Sequence, residues 1–260
     1  WVKDDYDCPY GFWLKLNFTI NMLDVDAAPK YVRDAYIYIY DASGNYVTRL
    51  YVTNDELKAN DYRVRLDNLP EGDYQFVVWS GIDSHFTVSG THNTIDDFRV
   101  SLIPNQGSNH YKGELPDLFY GYLPTLHVDG TYDVQDIDLM KNTNQLTCLV
   151  VSINNEAVMN PKDYTVLIYS PNGSMDAYNR LVSTTDIVYE PVSKSSVSFN
   201  DTEYGVLQGI QFNIPVLRLM NNNDNRIVLM KTDNGQKLFD IPLAEYIGMI
   251  GRSRSEERRV

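Results

Sequence analysis

Asp61-Tyr62-Arg63-Val64-Arg65-Leu66-Asp67, then Leu69-Pro70-Glu71-Gly72-Asp73, then Tyr74-Gln75-Phe76-Val77-Val78-Trp79 is the stretch that decides the fold class. In its first part Tyr62, Val64 and Leu66 alternate with Arg63 and Arg65. In its last part Tyr74, Phe76 and Val78 share one face. A period of two marks a half-buried strand, because successive side chains on an extended chain leave on opposite sides. Pro70 stands where no ladder donor is needed, and Gly72 suits a left-handed turn position. The stretch reads as two strands joined in a β-hairpin.

The same grammar extends in both directions. Upstream, Leu14, Leu16, Phe18 and Ile20 alternate with Trp13, Lys15, Asn17 and Thr19. Ile37 and Ile39 oppose Tyr36, Tyr38 and Tyr40, and Asp41-Ala42-Ser43-Gly44-Asn45 turns the chain into Tyr46–Val52. That is a second hairpin. Thr53 or Asn54 can cap one short helical turn that includes Glu56 and Leu57. Downstream, residues 80–113 are looser, with one strand at Phe98–Ile103. Further strands are expected at Asp117–Leu126 and Tyr132–Leu139.

Lys141-Asn142-Thr143-Asn144 is polar and sets a boundary between a first domain, residues 1–140, and a second, residues 141–260. Leu146–Ile153 is apolar and β-branched, and predicts a strand buried on both faces. Strands follow at Tyr164–Tyr169, Ile187–Val192, Ser195–Phe199 and Ile210–Leu219. Pro215 marks an edge or a bulge in the last of these. Arg226–Thr232 and Gln236–Ile241 form a hairpin with Asn234-Gly235 at its tip. Only Pro242–Ile250 shows a helical period. Many short strands at this spacing predict an all-β protein of two β-sandwiches in series.

Composition agrees. The 260 residues exceed the usual size of one domain, and 20 of them are Tyr, a residue that favours strands. The formal net charge of −13 repels phosphate backbones and argues against nucleic acid as a partner. Cys8 and Cys148 are each read as small buried hydrophobes, and whether they pair stays open. There is no run of 18 apolar residues, so no membrane-spanning helix is expected. The chain opens at Trp1 without Met or a signal-like segment. The expectation is that a targeting segment precedes it.

Five of these stretches, in this order, resemble the FimB-type anchor and minor subunits of the type V fimbriae of Bacteroidales. They are Cys8-Pro9 before an alternating strand; Tyr36–Asp41 with its Gly turn; Leu69–Tyr74 running into Val78-Trp79-Ser80-Gly81; Lys141–Asn144; and Asn234-Gly235 before Ile241-Pro242-Leu243. The resemblance implies two tandem transthyretin-like, Greek-key sandwiches. It also implies a lipoprotein precursor, location at the outer membrane and cell surface, and fimbrial subunits as partners joined by β-strand donation. Family members continue past Leu243–Ile250 into two more strands. Here Gly251–Val260 reads as a solvated, Arg-rich tail, so the terminal strands of the second domain are expected to be missing or altered.

Enzyme chemistry finds no footing. His85, His92, His110 and His127 have irregular spacing, and no HxxxH, HExxH or CxxC occurs. Asp96 and Asp97 are adjacent and point apart on an extended chain. Asn221–Asn225 reads as a polar turn rather than a calcium loop. No catalytic, cofactor-binding or metal-binding residue is assigned, and no cofactor is expected. The alternative function is a surface glycan-binding lipoprotein. It would use Trp79, Phe86, Phe119, Tyr120 and Tyr122 as a stacking platform, although rings of this kind more commonly pack a sandwich.

Overall fold

A computed structural model of the chain describes residues 11–21, 25–66, 69–129, 131–152, 159–220 and 224–243. The protein is all-β, with several sheets built from short strands. It divides into two compact units. The first comprises residues 1–100, 116–142 and 176–180; the second comprises 101–115, 143–175 and 181–260.

The first unit is a sandwich of a three-stranded and a five-stranded sheet. Phe12–Asn17 is the central strand of the smaller sheet. It pairs antiparallel with Arg63–Leu66 and parallel with Asp133–Asp138. The larger sheet runs Met140–Lys141, Phe119–Val128, Gly72–Ser80, Ala35–Asp41, Tyr46–Val52. Phe12, Leu14, Leu16, Val64 and Leu66 from one sheet meet Ile37, Ile39, Phe76 and Val78 from the other in one core. Phe12 and Phe76 stack across it, with ring centroids 6.0 Å apart.

The alternation is therefore as the sequence reads, but one pairing is not. Arg63–Leu66 and Gly72–Ser80 do not form a hairpin. They lie in opposite sheets and face each other across the core. Alternation tells which face a side chain takes and says nothing of the neighbour. The Tyr46 hairpin does form, with Gly44 at φ +81° in its turn. Thr53 caps Asn54–Ala59 through a full capping box with Glu56. The first strand stops at Asn17 because the next amide, of Phe18, bonds the Asp26 carboxylate at 2.8 Å; Ile20 is left exposed.

The tyrosines of Ala35–Asp41 differ in burial, with Tyr36 half-buried. Tyr38 and Tyr40 are buried on the outer face of the larger sheet. Phe98 covers Tyr38 edge-on at 4.7 Å, and Tyr178 meets Tyr122 at 5.5 Å. The polar boundary Lys141–Asn144 is not simply solvated either. Asn142 is fully buried in a reciprocal amide pair with Asn179, at 2.8 and 3.1 Å.

The second unit again has three strands in one sheet and five in another. Thr143–Ser152, Gly205–Leu217 and Ser193–Asp201 make the smaller sheet, with Gly205–Leu217 central. The larger runs Lys237–Pro242, Arg226–Lys231, Tyr164–Ser170, Ile187–Tyr189, His110–Tyr111. Ile210, Phe212 and Ile214 of the smaller sheet and Val166 and Ile168 of the larger are fully buried. Asn172 ties the turn after Ser170 into the interior. It donates to the Leu217 carbonyl and accepts from the Tyr189 hydroxyl. Pro215 sits past Ser193, where the neighbouring strand has ended, so its flank is locally an edge.

Leu146–Ile153 was expected to be buried on both faces, and Thr143–Ser152 is not. Among the described residues it closes one end of its sheet, with Leu149 46% exposed. Ile153 and the helical stretch from Ala244 onward lie outside the described residues, as do Cys8, Asn221–Asn223 and the tail 251–260.

Candidate functional site

An edge strand offers unpaired N–H and C=O groups to any extended chain, and proteins usually guard such edges with charge, proline, a bulge or shortness. Most edges here are guarded. Asp133–Asp138 carries three Asp, and Arg63–Leu66 is four residues with two Arg. Tyr46–Val52 has Arg49, and Ser193–Asp201 has Lys194 and Asp201. Lys237–Pro242 has Lys237, Asp240, Pro242 and a shifted register.

Thr143–Ser152 has none of these devices. It spans ten residues without charge or proline, and its register with Gly205–Leu217 is unbroken over ten pairs. Leu146, Cys148 and Val150 lie opposite Ile214, Phe212 and Ile210, so they take the core face. Their partners are fully buried, whereas these three are only half-buried. The outer face is mixed: Thr147 donates to Asn213 at 3.1 Å, and Leu149 is exposed. Burial pushes the Cys148 thiol up, so it is a hydrophobe here rather than a thiolate.

The groups weighed for chemistry are dispersed. His85 Nδ1 lies 2.8 Å from Asp83 and His127 Nδ1 lies 2.8 Å from Asp73. His110 Nδ1 is 2.7 Å from Glu190, and His92 bonds Thr91. Hydrogen bonding to Asp73 raises the His127 pKa. Asp97 serves Thr94 in a capping box. Among the described residues no group of His, Cys, Asp or Glu could hold a metal. The five aromatic residues do not make an exposed platform. Trp79, Phe86, Phe119 and Tyr120 are buried, and the half-buried Tyr122 donates to Gln75 at 2.7 Å. No described helix is long and apolar enough to cross a membrane.

The sequence profile of the fimbrillin-A associated anchor proteins Mfa1 and Mfa2 matches residues 4–257. The chain belongs to this family. It is a fimbrial protein, and the resemblance read from its five stretches is borne out. Solved structures agree. A candidate adhesin from Bacteroides thetaiotaomicron is 26% identical with a TM-score of 0.82, over 96% of this chain and 86% of that one. A candidate polysaccharide binding protein from the same organism is 22% identical, with a TM-score of 0.81 over 93% and 83%. The fimbrial anchor protein Mfa2 from Porphyromonas gingivalis is 17% identical, with a TM-score of 0.71 over 97% and 87%. In these last two the likeness is one of fold. No curated protein sequence matches the chain.

No local motif in the sequence marks the unguarded edge. The absence of charge in residues 143–152 is visible there. That the strand ends its sheet is not.

Proposed function

We propose that the chain is the anchor or an accessory subunit of a type V fimbria. It is held at the outer membrane by a lipid on its N-terminal side and joined to other subunits by added strands. The two units then act as two transthyretin-like modules. The role is mechanical, and no residue is given a catalytic part. The family match over residues 4–257 carries this reading. The edge Thr143–Ser152 supports its strand-joining component, because an added strand would meet its outward backbone groups and shield Leu146, Cys148 and Val150.

The test is to shear native cells and probe filament and membrane fractions for the protein. It should co-fractionate with filaments, or cap those left in the membrane. Recovery in membranes alone, with no filament subunit attached, would sink the proposal. Leu149→Lys tests the edge separately. The side chain is on the outer face, so folding should change by no more than about 0.5 kcal/mol, while co-fractionation with filament subunits should fall. Unchanged co-fractionation would remove this edge from the assembly and leave the fimbrial role standing.

A further inference from the structure

The edge Thr143–Ser152 has a strand neighbour on one side only among the described residues, and its chemistry suits a second copy of the chain. The edge strand carries no charge, and neither does Gly205–Leu217 beside it. In the third strand, Ser193–Asp201, Lys194 lies on the core side and donates to the Tyr164 carbonyl at 3.0 Å, while Asp201 sits at the hairpin end. The outward rungs are therefore neutral. Thr147, Asn213 and Ser193 form one, and Leu149, Gln211 and Ser195 the next. The chain as a whole carries −13, so two copies repel each other over most of their surface. Contact between them is least opposed where no charge lies, as at this edge and the face beside it. A strongly charged strand, by contrast, finds no counter-charge here.

Backbone and side chains both allow self-pairing. An antiparallel ladder is unchanged by a two-fold rotation, so an edge strand can pair with its own copy. The register is constrained. A slip by one residue would set the apolar row of one copy against the outer row of the other. Among the registers that keep the rows together, the one centred on Cys148 sets every apolar residue of the row against another. Leu146 then faces Val150 of the second copy, and Cys148 faces its own counterpart. These side chains are half-buried in a single copy, and the added strand would shield them further. Leu149, 46% exposed, comes to lie opposite Thr147 of the second copy.

We propose that Thr143–Ser152 pairs antiparallel with itself about a two-fold axis at Cys148, joining two three-stranded sheets into one of six strands. Each copy then guards the other's edge until the strand of another subunit takes its place. The proposal rests on the reading of this edge as an acceptor of added strands, and it names the occupant when no filament subunit is present.

The test is analytical ultracentrifugation of the purified full chain. One added ladder is a small contact, so dimerisation with Kd on the order of 100 µM is expected. The two copies of residue 149 stand diagonally across the axis, within reach of long side chains. Leu149→Lys and Leu149→Glu should each weaken the dimer at least about 10-fold by like-charge repulsion. An equimolar mixture of the two variants should dimerise again, which a folding defect would not permit. In a Cys8→Ser background, oxidation by copper–phenanthroline should link Cys148 to Cys148, since directly opposite residues of paired strands lie within disulfide reach. A monomer at every concentration up to about 1 mM would overturn the proposal. So would a dimer indifferent to both charges, a mixture no better paired than its components, or a dimer that oxidation does not link. None of these results touches strand addition by filament subunits, which co-fractionation scores separately. Lost co-fractionation beside an intact dimer would count against that reading and leave self-pairing in place.

Discussion

Two of the three-stranded sheets, one in each unit, contain the same kind of strand in different places. Phe12–Asn17 and Thr143–Ser152 both alternate, and both place an apolar row on a core. Leu14 and Leu16 are fully buried, whereas Leu146, Cys148 and Val150 are half-exposed. The difference is position. Phe12–Asn17 has a neighbour on each side, and Thr143–Ser152 has one among the described residues. A strand's apolar content thus fixes what it can bury, and its rank in the sheet fixes how much it does.

Five substitutions would break or sharpen this contrast. Phe76→Ala removes a fully buried ring from the core that Phe12–Asn17 supports. It should cost about 3–5 kcal/mol in chemical denaturation. A cost under about 1 kcal/mol would mean that this core is loose. Asn142→Ala removes both amide bonds that the buried Asn179 makes with it, and should cost about 1–3 kcal/mol. The double variant with Asn179→Ala should cost less than the sum of the two singles, since the pair shares its bonds.

Leu146→Ala should cost no more than about 1 kcal/mol in the isolated protein, because its side chain is already half in water. A loss like that of a core leucine would show that the edge is covered in solution, and the contrast between the sheets would fail.

The smallest effect concerns His127. Its cross-strand bond to Asp73 holds its pKa above the ordinary 6.5. The folded state then binds the proton more tightly than the unfolded one. The pair's contribution is fully present below pH 6.5 and is lost as pH rises through the raised folded value. His127→Gln should flatten that slope in melts taken across neutral pH. An unchanged slope would assign it to other groups.

Periodicity made much of this fold legible. Leu14 and Leu16, Ile37 and Ile39, and the Asn234-Gly235 turn all sit where the sequence puts them. Partnership was not legible. Arg63–Leu66 joins a strand some fifty residues upstream rather than the one that follows it. Tyr38 is buried where the chain returns over it at Phe98. No local signal in either segment announces that cover. The Asn142–Asn179 pair is likewise a product of distant segments. Each looks in sequence like an ordinary polar surface residue.

A filament subunit works under tension, and the parallel ladder of Phe12–Asn17 with Asp133–Asp138 decides how the first unit takes it. Pulled apart at residues 11 and 139, the two strands must slide along each other, and the bonds joining six residue pairs resist together. The Arg226–Lys231 and Lys237–Pro242 hairpin, pulled at its open ends, yields one rung at a time. The first unit is therefore built as a clamp loaded in shear, and the Arg226 hairpin as a zipper.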